Sequence, residues 1–371
     1  MTATPWTALG PGPWKPTTVV PAQPPSEADR ELRDLPGTLL PVAGDGVIQR
    51  PVFDPAMAEH RMGMRLSEPH FDDADLAAAW FAARRDALDT VLAAIADSPW
   101  TDHLVLRGSV LLGAWFGDLA REPGDVDFIV LPTEWEFRSD LTDSMLADIA
   151  ARVAVESSAS IRLRAGDAVD ADIWTYDRVP GRRLVVPWTA TDARIPSGTV
   201  QLDFVFNEHL PEPPRWTEIP RLGRPGPAAA MLAAGPELSL AWKLLWLTDD
   251  RFPEGKDLYD AVLLAEHCTP TPELLRAVTP DTRFVELRHI AIAADWAEFA
   301  KDRPDLADQQ EAFARRLTEA LAPAFPGELA TLDTDSRAAT DPAIPGIAAR
   351  PDPHAVAATL DRWYSPPAAT E

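Results

Sequence analysis

A chain of 371 residues, 46% of them hydrophobic, has enough core-forming material for two compact domains and is too apolar to be disordered throughout. Its 34 basic and 58 acidic residues leave a formal charge of −24, which opposes non-specific nucleic-acid binding, because that binding runs on phosphate neutralisation; a local basic patch can still hold a nucleic-acid substrate. The single cysteine, Cys268, excludes an intrachain disulfide, and seven scattered histidines offer no zinc-ligand spacing.

Residues 1–70 are proline-rich and poor in periodicity, apart from a short strand near Gly46–Val52, and read as an arm that lies over the body or is partly disordered. The opening MTATPWTALGPGPWKP has no basic stretch followed by an apolar core, so no signal peptide is expected. From Asp72 to Asp97 apolar residues recur at helical intervals, with Asp72 and Asp73 placed to cap the start. A short strand follows at His103–Arg107, then Gly108-Ser109, a helical run over Leu111–Leu119, a strand at Val126–Leu131 and a helix near Ser139–Val155. Further strands are expected near Ile161–Arg164, Leu184–Trp188 and Thr199–Phe206, while 165–198 as a whole reads as hairpins and a loop. Beyond Pro236 the pattern is helical over 236–250, 255–268, 271–278, 283–302 and 305–322, and a last short helix is expected around His354–Tyr364.

This order gives an α+β fold: an arm (1–70), a mixed-sheet catalytic domain (71–225), a helical domain (226–325) and an Ala/Pro-rich tail (326–371). No run reaches the apolar length of a membrane span, since AAAMLAAG at 228–235 is short, so a cytoplasmic protein with no membrane partner is expected.

The segment LVLRGSVLLGAWFGDLAREPGDVDFIV, residues 104–130, carries the chemistry. Gly108 lets the backbone approach a phosphate, and Ser109 at a helix start adds a hydroxyl to unpaired amide N–H groups. Asp125 and Asp127, two apart on a strand, point to one face while Val126, Phe128 and Val130 form the other. The strand VQLDFVF repeats the arrangement, with Val200, Leu202, Phe204 and Phe206 on one face and Gln201 and Asp203 opposite. If the two strands are neighbours, three carboxylates converge to bind Mg²⁺ or Mn²⁺, with Asp203 a metal ligand and a candidate general base. Asp172 is the poorer third carboxylate, because its setting reads as loop.

Gly-Ser, a helix, Asp-x-Asp and a downstream strand Asp resemble the DNA polymerase β-type nucleotidyltransferase superfamily. Within it the chain most resembles the nucleotidyl transferase AbiEii toxin family, through LRGSVLLGAWFG, Arg121 and DVDFIV, and then through PELSLAWKLLWLTDDRFPEGKDLYDAVLLAE. The resemblance spans roughly residues 100–268 and implies a polymerase β-like fold, a nucleoside triphosphate substrate with Mg²⁺, a cognate antitoxin and, for some relatives, tRNA as acceptor. It also implies that Lys243 contacts nucleotide phosphates and that Asp260, with Asp257, completes the site or orients Lys243; Arg121, read by itself, is a further candidate for binding phosphate.

Plainer readings stand beside these. Gly-Ser alone is a common cap and Asp-x-Asp alone a common turn; their combination with Asp203 favours chemistry. Lys243, the only charge in the apolar run 238–248, needs a carboxylate or a phosphate, and an ion pair with Asp260 answers that need equally well. Asp257 also suits a helix N-terminus, and Arg121 can pair with Asp118 or Glu122. Arg162, Arg164, Arg182, Arg183 and Arg194 read as solvated charges, and they are also where an RNA-binding face would lie. Two rival functions remain: a small-molecule nucleotidyltransferase of the aminoglycoside-modifying kind, and a catalytically silent protein of the same fold that binds a partner.

Overall fold

The structure, a computed structural model, describes residues 2–156, 158–175, 179–249, 253–279 and 294–325. The tail 326–371 and the helix expected near His354–Tyr364 lie outside them, as do residues 283–293 of the helix expected over 283–302. The chain forms two compact units. The first comprises Met1–Val110, Pro123–His209 and Glu218–Leu232; the second comprises Leu111–Glu122, Leu210–Thr217 and Ala233–Glu371. No helix among the described residues is long and apolar enough to cross a membrane.

The N-terminal segment belongs to the first unit. It holds α1 (Glu27–Arg33), whose start is closed by reciprocal Ser26–Asp29 hydrogen bonds, and the short strands β1 (Val47–Ile48), β2 (Pro51–Phe53), β3 (Met64–Leu66) and β4 (His70–Phe71). Trp6, Leu9, Val20, Leu35, Leu39, Met62 and Met64 form a small core of their own. Prolines reduce the freedom of the unfolded segment, so modest burial suffices to order it. Disorder was one expectation for this arm; over residues 2–70 the structure shows packed chain instead.

The chain continues into a mixed sheet with helices, of which residues 111–116, 215–217 and 233 belong to the second unit. In chain order come α2 (Ala74–Ala96), β5 (Leu104–Arg107), α3 (Ser109–Phe116), β6 (Asp125–Val130) and α4 (Asp140–Val155). Then follow β7 (Ile161–Leu163), β8 (Val169–Thr175), β9 (Val179–Ala190), β10 (Gly198–Val205), β11 (Arg215–Ile219) and β12 (Ala229–Ala233). The Asp73 carboxylate caps α2 by accepting from the Asp75 and Leu76 amides, and the Ser139 hydroxyl caps α4 by accepting from Thr142. β5 pairs antiparallel with β6, β6 parallel with β10, and β10 antiparallel with β9; β9 is long enough to take both β7 and β8 on its other edge. The stretch read as hairpins and a loop does hold antiparallel β8–β9 and β9–β10 pairs, and Asp172, expected in a loop, lies on β8.

Alternation sorts the two faces. Val126, Phe128, Val200, Leu202 and Phe204 are fully buried on one, where the Phe128 and Phe204 rings stack at 5.5 Å. Trp80 of α2 meets Trp188 of β9 at 5.6 Å, so α2 covers that face. Asp125, Asp127, Gln201 and Asp203 therefore fall on the opposite face.

The second unit is mainly helical among its described residues: α5 (Pro236–Asp249), α6 (Gly255–Ala265), α7 (Pro272–Val278), a single turn at Trp296–Phe299 and a helix at Gln310–Leu321. Tyr259 is its aromatic hub, 5.4 Å from both the Phe299 and Phe313 rings, with Trp296 also against Phe313.

Candidate active site

In the first unit, Gly108 ends β5 and Ser109 opens α3. Gly108 has φ of +83°, a left-handed conformation that favours glycine. A Cβ built there would stand 3.1 Å from Asp127 Cγ and collide with Asp127 Oδ2, so this turn and the second aspartate are fitted to one another. The buried Ser109 hydroxyl donates to Asp125 Oδ1 at 3.3 Å, which aims the start of α3 at the first aspartate. The parallel register sets Gln201 beside Asp125 and Asp203 beside Asp127. Gly108 and Ser109 at the end of β5, Asp125 and Asp127 in the first half of β6 and Asp203 within β10 thus lie on three adjacent strands.

The same register has a consequence across the sheet. Arg107 pairs with Asp127 across β5–β6, and Asp203 with Arg183 across β10–β9. Residues directly opposite in a sheet share a face, so one row runs Arg107, Asp127, Asp203, Arg183, with an arginine at each end of two aspartates. Arg107 and Glu208, both nearly buried, approach to 3.9 Å. Arg183 is held more firmly. Its Nε donates to Asp203 Oδ1 and its Nη2 to Asp203 Oδ2, both at 2.8 Å, while Nη1 donates to Asp54 Oδ2 at 2.6 Å. The Gln201 amide also donates to Asp203 Oδ2 at 3.3 Å. Burial opposes the guanidinium charge, yet Asp203 and Asp54 outweigh it and hold Arg183 well above the ordinary arginine range. For Asp203 burial dominates and pushes the carboxyl up, although Arg183 pulls the other way.

Among the described residues no group of three or more His, Cys, Asp or Glu side chains is arranged to hold a metal ion. Of the three carboxylates expected to converge, Asp203 accepts from Arg183 and Asp125 from Ser109. Asp125 and Asp127 are partly exposed, whereas Asp203 is 7% exposed. Two hard carboxylates suit Mg²⁺, which is commonly held by one or two carboxylates together with substrate phosphates. The donors present fit such an ion.

In the second unit the remaining expected residues form a buried charge network. Lys243 Nζ lies 2.8 Å from Asp257 Oδ1 and 2.9 Å from Asp260 Oδ2, and 4.4 Å from the centroid of the Trp246 ring. Arg121 Nε donates to Asp260 Oδ2 at 3.0 Å. The Tyr259 hydroxyl donates to the Leu119 carbonyl at 2.7 Å and fixes the segment carrying Arg121. The resemblance implies a phosphate contact for Lys243, and Arg121 is a further candidate; here both are engaged by carboxylates. Asp257 and Asp260 respond differently. Burial pushes Asp257 up despite Lys243, whereas Asp260 has two cations that overcome burial and hold it below the usual carboxylate value.

The arginines expected as an RNA-binding face are mostly neutralised. Arg164 pairs with Asp167 at 3.0 Å, Arg194 with Asp192 at 2.6 Å, and Arg182 with Asp143, Asp170 and Asp172. Arg183 is buried, and Arg162 is exposed on β7. Asp54 was not anticipated as part of the site, and Arg183 only as a surface charge. Alternation places Arg183 opposite Leu184, but nothing local to either residue announces the partner.

No curated protein matches the chain. Among solved structures it is similar to MenT4, nucleotidyltransferase toxin Rv2826c from Mycobacterium tuberculosis H37Rv, at 16% identity and a TM-score of 0.37, covering 77% of this chain and 94% of that one. The family model described as "Nucleotidyl transferase AbiEii toxin, Type IV TA system" matches residues 90–340, well over half the chain and spanning both segments that carry the resemblance. The chain belongs to the nucleotidyl transferase AbiEii toxin family of type IV toxin–antitoxin systems and is a nucleotidyltransferase.

Proposed function

We propose that the chain transfers a nucleoside monophosphate from a nucleoside triphosphate to a hydroxyl acceptor, in a reaction dependent on Mg²⁺ or Mn²⁺, with tRNA the acceptor implied by the family resemblance. The observation that supports this most directly is the fit of Gly108 and Ser109 against Asp125 and Asp127 at one end of the sheet. In this reading the acceptor oxygen forms a bond to the α-phosphorus as the bond to the pyrophosphate oxygen breaks, and the acceptor proton is lost. The amides opening α3 and the Ser109 hydroxyl hold phosphate oxygens, since a helix start presents unpaired N–H donors and a positive dipole end. Gly108 lets the backbone come close. Asp125 and Asp127 hold the divalent cation, which when bound offsets phosphate charge and polarises the reacting phosphoryl oxygen.

The discriminating experiment incubates full-length protein with α- or γ-labelled nucleoside triphosphates and either tRNA or small hydroxylated compounds. Label from the α-position on tRNA, abolished by chelator and restored by Mg²⁺, supports the reading. Label on a small molecule only would replace the acceptor. Absence of transfer from any triphosphate, with the fold intact, would favour a silent binding protein.

A further inference from the structure

The N-terminal segment reaches into the sheet with a fixed carboxylate. Asp54 lies directly after β2 and is 5% exposed. Its amide donates to the Gly63 carbonyl at 3.2 Å, and its Oδ1 accepts from the Ala56 amide at 3.1 Å, closing the turn Pro55–Met57. That turn packs against β8, a neighbour of β9. The other oxygen, Oδ2, accepts from Arg183 Nη1 on β9 at 2.6 Å, across 129 residues of chain. The same guanidinium donates through Nε and Nη2 to the two oxygens of Asp203 on β10. All three side chains are at most 10% exposed.

A guanidinium is a rigid planar fork, so the group that grips one prong sets the plane of the other donors. Asp54 therefore fixes the plane of Arg183, and that plane fixes where the oxygens of Asp203 stand. The parallel register puts Asp203 beside Asp127, so the setting of the Asp203 carboxylate bears on the row of side chains that includes Asp127. We propose that Asp54 is a positioning residue for the transfer reaction, acting through Arg183 on Asp203, and that residues 51–57 of the N-terminal segment are a working part of the catalytic unit. This rests on the reading under the proposed function that transfer takes place at this part of the sheet. Asp54 and Arg183 touch no substrate in this scheme. Without the Asp54 contact, Nη1 would be buried with its partner gone, and the fork would turn to share its remaining acceptors.

The test measures kcat and KM of the full chain with α-labelled nucleoside triphosphate, Mg²⁺ and either total tRNA or small hydroxylated compounds, with folded fractions taken from urea unfolding. Asp54→Ser keeps a side-chain oxygen to cap the Pro55–Met57 turn but is too short to hold Arg183; it is expected to lower kcat about tenfold or more while KM for the nucleotide moves less than about twofold. Asp54→Asn keeps an acceptor for both Ala56 and Arg183 and is expected to stay within about threefold of the parent. Arg183→Lys keeps the charge and loses the fork, so it should lose about as much kcat as Asp54→Ser. Adding Asp54→Ser to Arg183→Lys should cost less than about twofold more, because the route is already broken. A readout independent of turnover is the Arg183 Nε–H resonance in ¹H–¹⁵N spectra, assigned by its disappearance in Arg183→Lys. It is expected to shift and broaden in Asp54→Ser and to persist in Asp54→Asn. Should Asp54→Ser fail to fold, Arg183→Lys tests the fork by itself. A kcat within about twofold of the parent in Asp54→Ser or Arg183→Lys, an unmoved Arg183 resonance in Asp54→Ser, or a further tenfold loss in the double variant would overturn the inference and leave the proposed function standing. Absence of transfer by the folded parent to either class of acceptor would remove the proposed function and this inference with it.

Discussion

Replacing Gly108 by alanine tests the fit between the turn and the acid pair. Two costs are separable. The first is backbone strain: at φ of +83° an L-residue pays roughly 1–2 kcal/mol. The second is displacement, because the new methyl would overlap Asp127 Oδ2, and the carboxylate is the group able to move. A retreat on the order of 1 Å from the productive position is expected to cost about 10²-fold in transfer rate, the usual penalty for misplacing a reacting constellation by that distance. Gly117 supplies the control. Its φ is +55° and a Cβ there meets nothing within 4 Å, so Gly117→Ala pays strain without displacement. Urea unfolding measures the first cost in both variants, and α-label transfer at saturating nucleotide measures the second. Loss of stability in both variants, with loss of transfer confined to Gly108→Ala, is the expected pattern. Transfer by Gly108→Ala within about twofold of the parent, at a strain cost like that of Gly117→Ala, would refute the fit.

Other outcomes follow from the charge networks and caps. Lys243→Met leaves the Asp257 and Asp260 carboxylates buried with one fewer cation, and is expected to cost about 3–5 kcal/mol in chemical denaturation; the added change Asp257→Asn should recover part of that loss. Asp260 is held below its ordinary value, so its folded pKa lies below the unfolded one; its contribution is complete above about pH 4 and disappears as pH falls through the lower folded value. The stability gap between the parent and Asp260→Asn is therefore expected to be constant near neutrality and to narrow in acid, and a gap unchanged down to pH ~2 would contradict the pairing. Asp73→Ala removes two acceptor contacts at the start of α2 and should cost about 1 kcal/mol in thermal or urea unfolding with transfer unaffected.

Much of the site could be read along the chain because its parts are local. The left-handed turn needs a glycine, so Gly108 stands out beside a strand end. The two-residue spacing of Asp125 and Asp127 fixes a shared face whatever the sheet order. Helix caps at Asp73 and Ser139 follow from one side chain and the next few amides. Lys243 in an apolar helix declares that it needs a counter-charge. The segment 165–198 was harder. Its Gly, Pro and Asp residues suggest hairpins and a loop without saying which residues pair, and the edge offered by β9 puts Val169–Thr175, with Asp172, into strand. In the proline-rich N-terminal segment low periodicity leaves two readings open, because the apolar cluster's members are scattered from Trp6 to Met64.

The sequence by itself determined where a tight turn falls and which carboxylates share a strand face, because conformational freedom at glycine and alternation along a strand are properties of a few consecutive residues. Only the tertiary structure decided how those charges are spent. Arg183 closes on Asp203 and Asp54 across 20 and 129 residues of chain, and Arg121 reaches Asp260 across 139. Such pairings depend on strand register and helix packing, which bring distant residues together without leaving a local mark, and they determine which carboxylates are already neutralised.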